Sequence, residues 1–78
     1  MGYNVTVQFN DEGNDVLFLQ RMLRIVDCDP GALDGDFGNA TLAAVKEFQA
    51  DYGLTADGIC GTNTWHKLYG RVAESKLH

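Results

Sequence analysis

Apolar residues recur along the chain in three helical stretches separated by turn-rich segments. Val16, Leu19, Leu23 and Val26 follow one another at steps of three and four, which places their side chains on one face of an α-helix. Phe18, Met22 and Ile25 widen that face, so a first helix over residues 14–26 is expected to be covered on two sides. Asn14 or Asp15 would supply the oxygen that satisfies free N–H groups of its first turn. A second stripe, Thr41, Val45, Phe48 and Tyr52, predicts a helix over residues 39–52, closed by Gly53 in a left-handed conformation. Trp65 and Leu68, with Val72 beyond, carry a third helix from Thr62 or Asn63. Gly70 is expected to weaken or end it, because glycine costs ~1 kcal/mol inside a helix relative to alanine. Val5, Val7 and Phe9 alternate like a short extended segment. The pattern therefore predicts an all-α chain: a lead-in over residues 1–12, a compact three-helix bundle over 13–70 and a tail over 71–78.

The polar positions show that the bundle is a duplication. Val16-x-x-Leu19-Gln20 returns 29 positions later as Val45-x-x-Phe48-Gln49. Asp34-Gly35-x-x-Gly38-x-x-Thr41 returns after 23 positions as Asp57-Gly58-x-x-Gly61-x-x-Thr64, so the first unit's loop is read as six residues longer. Two units are too few to stack into an array, so they must close on each other. The repeated residues all have mechanical readings. An aspartate accepts hydrogen bonds from N–H groups just ahead of it, and the glycine after it takes positive φ without strain. Gly38 and Gly61 are expected to turn the chain into the next helix, with Thr41 and Thr64 in its first turn. Gln20 and Gln49, beside the apolar stripes, are placed to tie a helix to an Asp-Gly loop or to hydrogen-bond a ligand.

Composition narrows the function classes. Hydrophobic residues at 45% and charged residues at 22% fit a folded globular domain. No apolar run approaches the ~20 residues of a membrane-spanning helix, and Met1–Thr6 carries neither the basic start nor the apolar core of a signal peptide. The net charge is −5 with only six basic residues, which disfavours nucleic acid as a partner. Cys28 and Cys60 lack metal-site spacing; they read either as small buried apolar side chains or as a disulfide. Ser75, the single serine, lies in the tail, and His66 and His78 form no metal-ligand pair. A Cys60–His66 nucleophile pair and a calcium site among Asp27, Asp29, Asp34 and Asp36 are weaker readings than turn residues in ordinary roles. No metal, cofactor or catalytic residue is expected.

The stretch from Gly13 to Leu68, with both Asp-Gly turns, both Val-x-x-apolar-Gln steps and Thr64-Trp65, resembles the peptidoglycan-binding domain appended to bacterial and phage cell-wall hydrolases. Asn39-Ala40 stands where that family often has proline before the threonine, Asn10 where it often has glycine, and Cys60 where it has an aliphatic residue. The resemblance implies a three-helix module that binds the wall mesh without cleaving it. Its expected setting is extracellular or in the cell wall, as a monomer tethered to an amidase, muramidase, carboxypeptidase or endolysin. Export would then rest on a signal outside these residues or on a phage-lysin route. The alternative is a protein-interaction or inhibitory pro-domain of a metalloprotease-like enzyme, but neither cysteine has the Pro-Arg-Cys-Gly context such pro-segments use.

A peptidoglycan ligand, glycan strand or stem peptide, needs a shallow groove with a ring and a few fixed polar groups. The rings near helix ends are Phe37, Tyr52, Trp65 and Tyr69, of which Phe37 and Trp65 read as core before ligand contacts and Tyr52 and Tyr69 are better placed to show a hydroxyl to solvent. Asp36 and Asn39 flank Phe37 and complete the candidate binding set.

Overall fold

The structure is a computed structural model that describes residues 6–76, with side chains to residue 74. Three helices carry the fold: α1 (Asn14–Ile25), α2 (Asn39–Asp51) and α3 (Thr62–Lys76). Helix α1 packs against both α2 and α3, and among the described residues β-pairing occurs only as two isolated bridges, Val7 with Cys60 and Glu12 with Asp36. This is the expected all-α bundle. Leu19, Leu23, Phe37, Phe48, Trp65 and Leu68 fill its centre and are almost wholly withdrawn from solvent. Each side chain of this kind contributes roughly 1.5–3 kcal/mol by burial.

The termini of the helices differ from expectation in instructive ways. The N-cap of α1 is Gly13, at φ 125°, with no side-chain cap. Its N–H donates to the carbonyl of Gly35 at 2.9 Å, so neither Asn14 nor Asp15 caps this end. Helix α3 runs through Gly70 to Lys76. Tyr69 and Val72, on either side of that glycine, pack against the core, and such packing outweighs a propensity cost of ~1 kcal/mol. Of the residues read as a tail, 71–76 are therefore helical; 77 and 78 lie outside the described residues.

Both α1 and α2 end in the same double-bonded turn. The Leu54 N–H donates to Gln49 O at 2.8 Å and Gly53 N–H to Ala50 O at 3.3 Å, with Gly53 at φ 74°. In α1 the Cys28 N–H donates to Leu23 O and Asp27 N–H to Arg24 O, with Asp27 itself at φ 66°. Measured from its buried glutamine, α1 continues to Ile25 whereas α2 stops at Asp51. Half of the six-residue insertion therefore lengthens the helix by almost a turn, and only the other half lengthens the loop. Helix α1 is also not covered on two sides: Met22 is buried, but Phe18 and Ile25 are each 41% exposed.

The lead-in belongs to the bundle. Val7, fully buried, exchanges hydrogen bonds with Cys60 at 3.1 and 2.8 Å. Asn10 N–H donates to Phe37 O, and Phe37 N–H donates to Asp11 O, both at 2.9 Å. Asn10 adopts φ 77° between these contacts, a left-handed conformation that asparagine takes more readily than most residues. Residues 7–13 thus strap the two Asp-Gly loops together without forming a strand. Val5, the first position of the alternating pattern, lies outside the described residues.

Candidate functional site

Each Asp-Gly loop is held by one buried glutamine, and the two arrangements superimpose bond for bond. The Gln20 side-chain carbonyl accepts from Gly35 N–H at 2.9 Å. Its amide nitrogen lies 3.2 Å from Asp34 Oδ1, 3.0 Å from Asp36 O and 3.0 Å from Thr41 Oγ1. Gln49 repeats this with Gly58 N–H at 2.9 Å and with Asp57 Oδ1, Ile59 O and Thr64 Oγ1 at 3.1, 3.0 and 3.0 Å. Gly35 and Gly58 stand at φ 78° and 77°. The second glycine of the motif behaves differently: Gly38 is extended, at φ −101° and ψ −163°. Its role is that of a small N-cap, not of a left-handed turn.

These frames fix the electrostatics of the loops. Asp34 accepts the Asp36 N–H at 2.9 Å and the Gln20 amide, and these bonds hold its carboxyl below its ordinary value of 3.8. Asp29 accepts Gly31 N–H at 2.9 Å and lies 3.8 Å from Arg24. Asp29 and Asp34 thus serve as turn acceptors, and no group of three or more His, Cys, Asp or Glu side chains converges among the described residues. Both cysteines are free thiols in the core. Burial pushes Cys60 up to about 12, and burial followed by the charges of Glu47, Asp51 and Asp27 pushes Cys28 up to about 11. A thiol so placed is protonated at neutral pH and supplies no nucleophile.

The candidate binding set does not converge. Phe37 and Trp65 are 2% and 1% exposed, so they cannot offer a ring face to a ligand; the core claims them because large rings supply most of its buried area. Asp36 and the rim of Phe37 line one open depression, of about 290 Å³, with Asn10, Asp11 and Glu12. Tyr52 lines another, of about 280 Å³, beside His66, Lys67 and Arg71, with the Arg71 guanidinium 5.2 Å from its ring centroid. Tyr69 is half-buried among Phe18 and Trp65, with ring centroids 6.0 Å away in each case. Asn39 is exposed on the first turn of α2.

A groove of about 350 Å³, open to solvent, contains none of those six residues. It runs between the second Asp-Gly loop and the start of α3, lined by Leu54, Thr55, Ile59, Thr62, Asn63 and Thr64 among others. Thr64 and Gln49, which the repeat identified, form its floor; both are buried. The repeat marks none of the rim residues: Ile59, Thr62 and Asn63 fall at the unspecified positions of the motif, and Leu54 and Thr55 precede it. The available signal was the shorter second loop, which leaves the start of α3 uncovered.

Comparison with known proteins agrees with this architecture. The family model of the peptidoglycan binding domain matches residues 12–68. The N-acetylmuramoyl-L-alanine amidase CwlM of Mycobacterium tuberculosis is 46% identical over 69 residues, covering 85% of this chain and 17% of that protein. The crystal structure of the SleB N-terminal domain superimposes with a TM-score of 0.85 at 35% identity, covering 88% of this chain and 94% of that one. A Burkholderia AP3 phage endolysin gives a TM-score of 0.79 at 44% identity, over 82% of this chain and 24% of the endolysin. The chain thus spans only a small part of the whole enzymes it resembles. With the duplicated Gln–Asp-Gly–Thr frame intact and the family match running from α1 into α3, the chain belongs to the peptidoglycan binding domain family.

Proposed function

We propose that this chain is a non-catalytic module that holds a cell-wall hydrolase on peptidoglycan at the bacterial wall, acting as a monomer tethered to the enzyme. The observation that carries the reading is the family match over residues 12–68, in a chain that retains the whole folding frame. The relatives whose parts it matches include an amidase and an endolysin. The buried, protonated thiols and the turn-bound aspartates support a binding role over a catalytic one. A net charge of −5 gives no general attraction to anionic wall polymers, so binding rests on short-range contacts and tolerates salt. Millimolar affinity, corresponding to ~4 kcal/mol, suffices when a tether raises the local concentration.

The test is co-sedimentation of the pure chain with insoluble peptidoglycan stripped of secondary polymers, at low and high salt. Salt-tolerant sedimentation without release of soluble fragments is the expected result. A folded chain that stays in the supernatant overturns wall binding, and release of muropeptides overturns the non-catalytic assignment.

A further inference from the structure

The two glutamine frames match, but the threonines that close them do not bond alike. In the first unit the Thr41 hydroxyl accepts from Gln20 and donates to the Pro30 carbonyl at 3.4 Å. In the second unit the Thr64 hydroxyl accepts from Gln49 in the same way, but no carbonyl among the described residues takes its proton. Thr64 is only 5% exposed, and it lies on the floor of the large groove. A buried hydroxyl with an unused donor loses part of a hydrogen bond that water or a ligand can restore.

The cause is the extra loop length of the first unit. There Asp29 accepts the Gly31 N–H, and Arg24 holds the Gly31 carbonyl at 2.8 Å. These bonds press Gly31 onto α2 so closely that a Cβ on it would lie 2.9 Å from the Ala40 Cβ. Counting from the Asp-Gly step, Leu54 and Asn63 occupy the places of Gly31 and Ala40 in the second unit. There the groove lies open along them, whereas in the first unit the protein's own loop lies against the helix start.

We propose that this groove is an acylamide subsite in which a ligand carbonyl takes the Thr64 hydrogen bond that Pro30 takes from Thr41, and that its occupant is the N-acetyl group of a glycan-strand amino sugar. The assignment rests on the peptidoglycan-binding reading. An acetamido group joins a carbonyl to a small apolar methyl, and the groove joins a buried hydroxyl to Leu54 and the exposed Ile59. Asn63, Thr55 and Thr62 offer neutral donors and acceptors for the amide N–H and for sugar hydroxyls. Among the described residues that line the groove there is no Lys, Arg or His, whereas Asp57 is there. The free carboxylates of a stem peptide would meet that like charge without a cation among the described residues that line the groove. Internal peptide bonds of the stem carry the same carbonyl, so the experiment has to separate the two sources.

The experiment is an NMR titration of the whole chain with an N-acetylglucosamine tetramer and, separately, with a stem pentapeptide, alongside wall co-sedimentation. The tetramer is expected to shift the amide signals of Leu54, Ile59, Asn63 and Thr64. Thr64→Val is expected to weaken that binding roughly tenfold, the loss of one buried hydrogen bond. Thr64→Ser, which keeps the hydroxyl, restores it. Thr41→Val removes the matching Gln20 bond and the Pro30 bond from the other frame and leaves tetramer binding unchanged. Should Thr64→Val fail to fold, Asn63→Ala on the exposed rim weakens binding without touching the frame. Sedimentation of the wild-type chain with no tetramer shifts in the groove would overturn the subsite and leave wall binding standing. Shifts with the pentapeptide alone would overturn the glycan assignment. A folded chain that neither sediments nor responds to either probe would overturn both readings.

Discussion

Gln20 and Gln49 carry a larger share of the fold than their polar side chains imply. Each is buried, and each satisfies a glycine N–H, a loop carbonyl, an aspartate and a threonine at once. Leucine has nearly the same volume, so Gln20→Leu or Gln49→Leu leaves little cavity and isolates the loss of hydrogen bonding. Orphaned buried groups cost ~1–3 kcal/mol each, so either variant is expected to lose about 2–4 kcal/mol by urea unfolding. Retention of wild-type stability would show that water replaces the amide in full. Both glutamines were legible in sequence because they recur at the same place in both units. The burial of Phe37 and Trp65 was legible too, since large rings dominate a small core, whereas the surroundings of Tyr52 and Tyr69 were not. Phe37 and Trp65 went to the core because the bundle has few other large side chains to fill it.

At the level of elements, helix periodicity reported what packs, and the connections decided where each element stops. The stripes Val16, Leu19, Leu23 and Thr41, Val45, Phe48 are buried as their spacing requires. The end of α3 was misjudged because propensity reads Gly70 alone, whereas Tyr69 and Val72 gain their contacts from α1 and the core. The lead-in was undervalued for a related reason: its bonds go to backbone groups of both loops, and no side-chain pattern announces that. Deleting residues 1–12 removes buried Val7, its two hydrogen bonds with Cys60 and the bonds that Asn10 and Asp11 make with Phe37. The loss is expected to be roughly 3 kcal/mol or more. Thermal unfolding should record it as a fall in Tm on the order of 15 °C for a domain of this size. An unchanged Tm would mean that the strap adds nothing to the bundle.

For the whole molecule, stability should form a plateau bounded by two titrations. The Asp34 carboxyl is held below 3.8 in the folded chain, so on acidification the unfolded chain binds its proton first. Its contribution is complete above about pH 4 and is lost as pH falls through the folded-state value. Cys28 and Cys60 are raised from 9.0 to about 11 and about 12, so above pH 9 the unfolded chain releases protons that the folded chain keeps. Stability is therefore lost as pH rises from 9 toward those values. Urea unfolding across pH should show both limbs. Asp34→Asn, which keeps the acceptor, should flatten the acid one, and Cys60→Ala the alkaline one. A limb left unchanged by its variant would assign that limb to other groups.

The amino-acid order alone determined the all-α class, the duplicated Gln–Asp-Gly–Thr frame and the family, because periodicity, turn chemistry and a repeat are local properties of the chain. The site required the tertiary structure. Whether a threonine hydroxyl meets a carbonyl of its own chain or faces an open groove depends on where a loop comes to rest. Three residues of loop length, the turn of Asp29 and the reach of Arg24 set that resting place in the first unit. The second unit, built on the same motif, lacks all three, and its groove stays open.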